Sequence, residues 1–139
     1  MMKEYVCIAA GFVGTFIINA LGGWDKSMTT LILFMSIDYI TGMMVAGLFH
    51  NSPKTKSGSM ESKAGWQGLC RKCVTLFFVM IANHLDMMLN VDYVRNAVIV
   101  GFITNELISV TENAGLMGIP LPAQISKALD VLKSKGDEK

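Results

Sequence analysis

The sequence predicts an all-α membrane protein of about four transmembrane helices with a short C-terminal amphipathic helix. Three observations predict it. Apolar residues make up 52% of the 139 residues and charged residues only 17%, against about 45–50% and about 25% in ordinary soluble domains. The apolar residues are gathered into blocks of membrane length. The basic residues sort into regions that an even number of crossings would place on one side. The length allows a single domain. A net charge of +1 excludes the basic excess of a nucleic-acid binder. Strands are excluded because a membrane barrel needs many alternating segments of about ten residues. Backbone groups in lipid then leave helices.

Residues 5–23 carry no charge, and residues 28–49 carry one, Asp38. A spanning helix needs about 20 mostly apolar residues, with a range of roughly 17–25, so both blocks qualify. No small-x-small cleavage site precedes Trp24, and the first block reads as a retained span. Residues 73–89 hold His84 and Asp86, and residues 94–111 hold Arg95 and Glu106. These two blocks are shorter and more polar. They read as spans, or as a hairpin that enters the membrane only in company. Residues 50–72 are rich in Ser, Gly, Pro and Lys and read as a cytoplasmic loop with an interfacial segment around Trp66. Gly115, Gly118, Pro120 and Pro122 break the chain after the fourth block. A helix over residues 122–134 follows, with Ile125, Ala128, Leu129 and Leu132 on one face and Gln124, Lys127, Asp130 and Lys133 on the other. The last seven residues, KSKGDEK, read as a frayed tail.

Four crossings put Lys3, the loop residues Lys54, Lys56, Lys63, Arg71 and Lys72, and the tail residues Lys127, Lys133, Lys135 and Lys139 on one side. That is ten of the twelve basic residues, with Lys26 and Arg95 opposite. The positive-inside rule makes that side the cytoplasm, with both termini in it. An odd number of spans would spoil this sorting.

Several polar residues fall inside the spans. Asp38 sits near the middle of the second, where an ionised carboxylate costs roughly 2.5–3.5 kcal/mol on insertion scales. Asn105, Ser109, Glu112 and Asn113 share one face of the fourth, with Glu106 beside them. Gly11, Thr15, Asn19 and Gly22 form a small and polar stripe on the first. Gly42 and Ala46 give a small-xxx-small step on the second. These groups either hydrogen-bond inside one bundle or face further copies of the chain and line an aqueous path. Composition alone leaves both open, and either favours self-association over a lone monomer.

Other motifs carry little. Cys70 and Cys73 form a CxxC, but no second pair follows at zinc-ribbon spacing, and no βαβ context supports a redox role. His84 with Asp86 reads as a proton relay or, more ordinarily, as residues solvated at the interface. Serine-nucleophile, phosphate-loop and paired-histidine motifs are missing. An enzyme is not expected, and no catalytic, cofactor-binding or metal-binding residue is assigned.

Asp38 to Gly42 read DYITG. Ser62, Gly65, Gly68, Leu69, Arg71 and Lys72 punctuate the loop. Ala82, Leu85 and Asp86 follow, and then NELISVTENAGLMGIPLP from Asn105 to Pro122. In order and spacing these segments resemble the toxin secretion/phage lysis holin family over about residues 30–132. The last run is the most specific part. The resemblance implies a non-enzymatic protein that oligomerises in the bacterial cytoplasmic membrane and permeabilises it. A cytoplasmic endolysin, or in some relatives a large toxin, then escapes without required direct contact. It carries DYITG onto Asp38, Tyr39, Ile40, Thr41 and Gly42, and the NE and EN pairs onto Asn105, Glu106, Glu112 and Asn113. The partners implied are the lipid bilayer, further copies of the chain and a possible antiholin, with no nucleic acid and no cofactor. The candidates for oligomerisation or pore lining are Asn19, Asp38, Tyr39, Thr41, Gly42, Asn105, Glu106, Ser109, Glu112 and Asn113. Two other readings stand beside this one: a small ion or solute transporter using Asp38 and Glu106, and an antiholin-type regulator.

Overall fold

The computed structural model describes residues 1–137, and all regular structure among them is helical. The helices are α1 (Met2–Ala20), α2 (Lys26–Gly47), α3 (Ser62–Leu89), α4 (Val94–Leu116) and α5 (Ala123–Asp137). By length and composition, α1, α2 and α3 can each cross a membrane; α4, with Arg95, Glu106 and Glu112 on it, is not in that set.

Helix α1 ends where Gly22 and Gly23 take positive φ angles of 86° and 94°, a conformation that costs glycine nothing. The Gly23 amide closes the end on the Ile18 carbonyl at 2.9 Å. The helix buries no residue and meets α3 alone among the helices. Asp25 then caps α2, its carboxylate accepting the Met28 amide at 2.9 Å, which satisfies one of the orphan donors of the first turn.

Helices α2 and α4 run parallel, and α3 packs antiparallel to both. The core joins Leu21, Met28, Leu31 and Met35 to Val79 of α3 and Ile99 of α4. Met28, Leu31, Met35 and Asp38 follow i, i+3, i+7 and i+10, so the carboxylate at residue 38 continues the apolar stripe inward. In lipid such a core gains from close packing rather than from leaving water, and buried polar contacts weigh correspondingly more.

The loop expected over residues 50–72 is shorter than that. Its last eleven residues, from Ser62, are the opening turns of α3. Gly65 and Gly68, read from the sequence as loop residues, are instead where α3 meets the Tyr39 ring. A Cβ on Gly65 would lie 3.5 Å from the Tyr39 hydroxyl, and one on Gly68 would lie 3.7 Å from the ring. With 28 residues, α3 is roughly 42 Å long at 1.5 Å per residue. That exceeds the hydrocarbon thickness of about 30 Å, so a polar first section is compatible with a spanning remainder. The fourth block also extends further than residues 94–111, to Leu116.

Between α3 and α4, Asn90 takes a left-handed φ of 54°. The Asp86 carboxylate accepts the Val94 and Arg95 amides at 2.9 Å each, so α3 supplies the N-terminal cap of α4. Helix α5 turns back along α4. Leu129 is its one buried residue and Leu132 is half-buried, whereas Ile125 and Ala128, expected on the same face, are exposed. The helix continues to Asp137 where a frayed tail was expected; the end of that tail, residues 138 and 139, lies outside the described residues.

Candidate functional site

Three charged side chains meet between α2, α3 and α4. Lys72 Nζ donates to Asp38 Oδ2 at 2.8 Å and to Glu106 Oε2 at 2.7 Å. Their side chains are 14%, 9% and 8% exposed, in the order Lys72, Asp38, Glu106. Helical spacing brings them together. Lys72 lies seven residues before Val79 on α3, and Glu106 lies seven after Ile99 on α4, so each charge sits on the stripe its helix buries. One ammonium serves two carboxylates, an arrangement tolerable out of water only because every charge is hydrogen-bonded.

A neutral layer adjoins the triad. Asn113, seven residues beyond Glu106, donates from Nδ2 to Thr41 Oγ1 at 2.9 Å and to Asp38 Oδ1 at 3.2 Å. The same nitrogen also reaches the Asp38 carbonyl at 3.3 Å. The Thr41 hydroxyl donates to that carbonyl at 3.1 Å. Gly42 faces Asn113, a Cβ there lying 3.8 Å from Nδ2. The Tyr39 hydroxyl donates to the Gly65 carbonyl at 3.3 Å. A cavity of about 760 Å³ opens beside these groups, with Asn105 and Ser109 on its wall.

Of the residues singled out in the sequence, Asp38, Tyr39, Thr41, Gly42, Glu106, Ser109 and Asn113 thus surround one site. Asn105 is exposed at its edge. Asn19 and Glu112 stand apart: Asn19 is exposed on α1, which buries no residue and meets only α3 among the helices, and Glu112 is exposed on α4. Lys72 was missed as a site residue because it was read as a loop charge. Continuing the stripe of Val79 backward by one heptad would have found it.

A second polar cluster lies at the opposite end of the bundle. Arg95 pairs through Nη1 with Asp25 Oδ2 at 2.7 Å. It also donates to the Leu21 carbonyl from Nε, and from Nη2 to the Gly23 carbonyl at 3.2 Å. Asn83 Nδ2 donates to the Ala20 carbonyl at 3.2 Å. These bonds tie the α1–α2 turn to α3 and α4. The Arg95 guanidinium, and after it the Met28 amide, outweigh partial burial and hold the Asp25 carboxyl below the usual carboxylate range. The sequence reading used Arg95 only as an exterior charge, and so missed this cluster.

Neither constellation sets a nucleophile against a base. Among the described residues no group of three or more His, Cys, Asp and Glu could hold a metal ion. Cys7, Cys70 and Cys73 are free and exposed.

The profile of the bacteriophage holin family matches residues 15–134, a stretch that includes both constellations. A protein described as a probable holin, from Bacillus phage phi105, is 31% identical, the match covering 86% of this chain and 83% of that one. Uncharacterised proteins of Halalkalibacterium halodurans and Clostridium perfringens are 37% and 31% identical, with 84% and 96% of each chain covered. No solved structure matches. A chain of apolar helices joined through buried charges, matched over most of its length by this profile, belongs to the bacteriophage holin family.

Proposed function

We propose that this chain is a holin. It accumulates in the bacterial cytoplasmic membrane, self-associates, and opens lesions through which a cytoplasmic endolysin or a large toxin leaves. The observation that carries this reading is the ion triad of Asp38, Lys72 and Glu106, buried between three helices beside a cavity. A helix surface this polar is costly to turn toward lipid. It is satisfied when closed on itself, and water in an assembly can satisfy the same groups. Only a change of partners separates the two states.

The topology that goes with this reading has four crossings. Helix α4 crosses under cover of α2 and α3, and the side that carries Lys3 and the loop residues Lys54, Lys56 and Lys63 is cytoplasmic. The test is inducible expression with and without a cytoplasmic endolysin. Abrupt lysis that requires both proteins supports the proposal. Growth unaffected in both cultures defeats it. Delay of a second holin's lysis, with no lysis by this chain, would assign the antiholin-type role instead.

The cavity beside two buried carboxyls favours one alternative, a small-ion transporter with Asp38 and Glu106 at its site. Saturable, solute-specific flux from liposomes distinguishes it from lesion formation.

A further inference from the structure

Helix α5 carries Lys127, Asp130, Lys133, Lys135 and Asp137 in 15 residues. A helix of that charge is ordinarily expected at the membrane surface. Its position here is different. Leu129 is buried, and the far half of α5 lies beside the first half of α4. Leu132, Lys133 and Gly136 share an open groove with Ala97, Gly101 and Thr104. Residues 97–104 are on the half of α4 away from the connection to α5. The same groove takes in Asp92 and Tyr93 beside Lys135 and Asp137, so the fold-back carries α5 past mid-height of the bundle toward the α3–α4 turn.

The other surfaces differ sharply. Around α1, Phe12 and Phe16 are about three-quarters exposed. Leu33, Ile37 and Ile40 of α2 and Phe77, Phe78 and Ile81 of α3 are exposed as well. These faces suit lipid. The outer face of α5, with all five charges exposed, does not, because charges at that depth in hydrocarbon are expensive. Seated where it is, α5 has to meet water.

From this two-sidedness we infer that α5 lines the aqueous path. Its seat on α4 makes the α5 side the wet side of each subunit, and the outer faces of α1, α2 and α3 the lipid side. The inference rests on the holin reading with α4 across the bilayer. It places the charged lining on α5 and leaves the stripe of α4 as the surface beneath.

The full chain with Cys7, Cys70 and Cys73 replaced by serine provides the test. In a first variant, Gly101→Cys with Leu132→Cys is crosslinked by a short reversible bismaleimide after reconstitution into lipid. In a second, Val131→Cys is treated with a bulky, charged, membrane-impermeant thiosulfonate, with Phe77→Cys as the lipid-side control. The expected result is crosslinking in lipid at a yield within twofold of that in detergent. Modification at Val131 should cut dextran release at least fivefold, and modification at Phe77 should leave it unchanged. A crosslink yield that falls tenfold or more on moving into lipid overturns the inference. So does release indifferent to modification at Val131. Absence of dextran release from every sample, unmodified included, defeats the holin reading, and with it the lumen this inference assigns. The crosslink yield still reports separately whether α5 keeps its seat.

Discussion

The two buried polar clusters solve the same problem in different ways. At the Arg95 end, a guanidinium is held by backbone carbonyls of the α1–α2 turn and by Asp25. Carbonyls fixed by the chain cannot rearrange without moving the turn itself. At the triad, every bond of Lys72 runs to another side chain, and a cavity adjoins it. Side chains can change rotamer, and water can replace a partner. One end is a clamp, and the other is a contact that can be exchanged. If the chain acts as the proposed holin, persisting closed and then opening, the exchangeable contact belongs where the helices separate.

The largest expected effect comes from Lys72→Met. It leaves Asp38 and Glu106 buried with no cation between them, and breaking a buried pair in this way costs about 3–5 kcal/mol. Thermal unfolding in detergent should shift down steeply, and lysis timing should change. A variant as stable as the parent would show that the triad does not hold the helices together.

Gly22→Ala tests the clamp. The new Cβ would fall 2.5 Å from Asn83 Oδ1 and 2.6 Å from Arg95 Nε, at a φ of 86°. Strain of this kind costs on the order of 1–3 kcal/mol. Faster hydrogen exchange in the α1–α2 and α3–α4 turns is expected, with the triad unaffected. Equal exchange in both regions would erase the distinction between the clusters.

Asn113→Ala removes the donor that joins Thr41 to Asp38. A loss of about 1–2 kcal/mol is expected from hydrogen bonds of this type. Asn19→Ala, exposed on the peripheral helix α1, should change stability by less than about 0.5 kcal/mol. Comparing the two midpoints in one denaturation series checks the contrast.

The smallest effect is a pH dependence at the clamp. Asp25 has its carboxyl held low by Arg95, so its contribution is fully present above the ordinary aspartate range near pH 4. It is lost as pH falls through the lower folded value. Asp25 is nearly half exposed, so the effect is modest. Asp25→Asn should flatten the acid limb of the stability curve, and an unchanged limb would remove Asp25 from the account.

Block lengths made the helical architecture legible, and Asp38, Glu106 and Asn113 stood out because polar residues interrupt apolar stretches. Lys72 was hidden by composition. A Ser- and Gly-rich segment resembles a loop until the ring of Tyr39 is known to lie against Gly65 and Gly68. The Arg95 cluster was hidden because its partners are mainly carbonyls, which no side-chain pattern announces. The fold-back of α5 was hidden because amphipathicity says that a helix has two faces and not what each one meets.

Size-resolved release from liposomes tests the central claim most directly. Vesicles of bacterial lipid are loaded with a small dye and a protein-sized dextran, and the protein is added at increasing density. The account predicts an abrupt threshold above which both leave together. Saturable loss of the small solute with the dextran fully retained would contradict it.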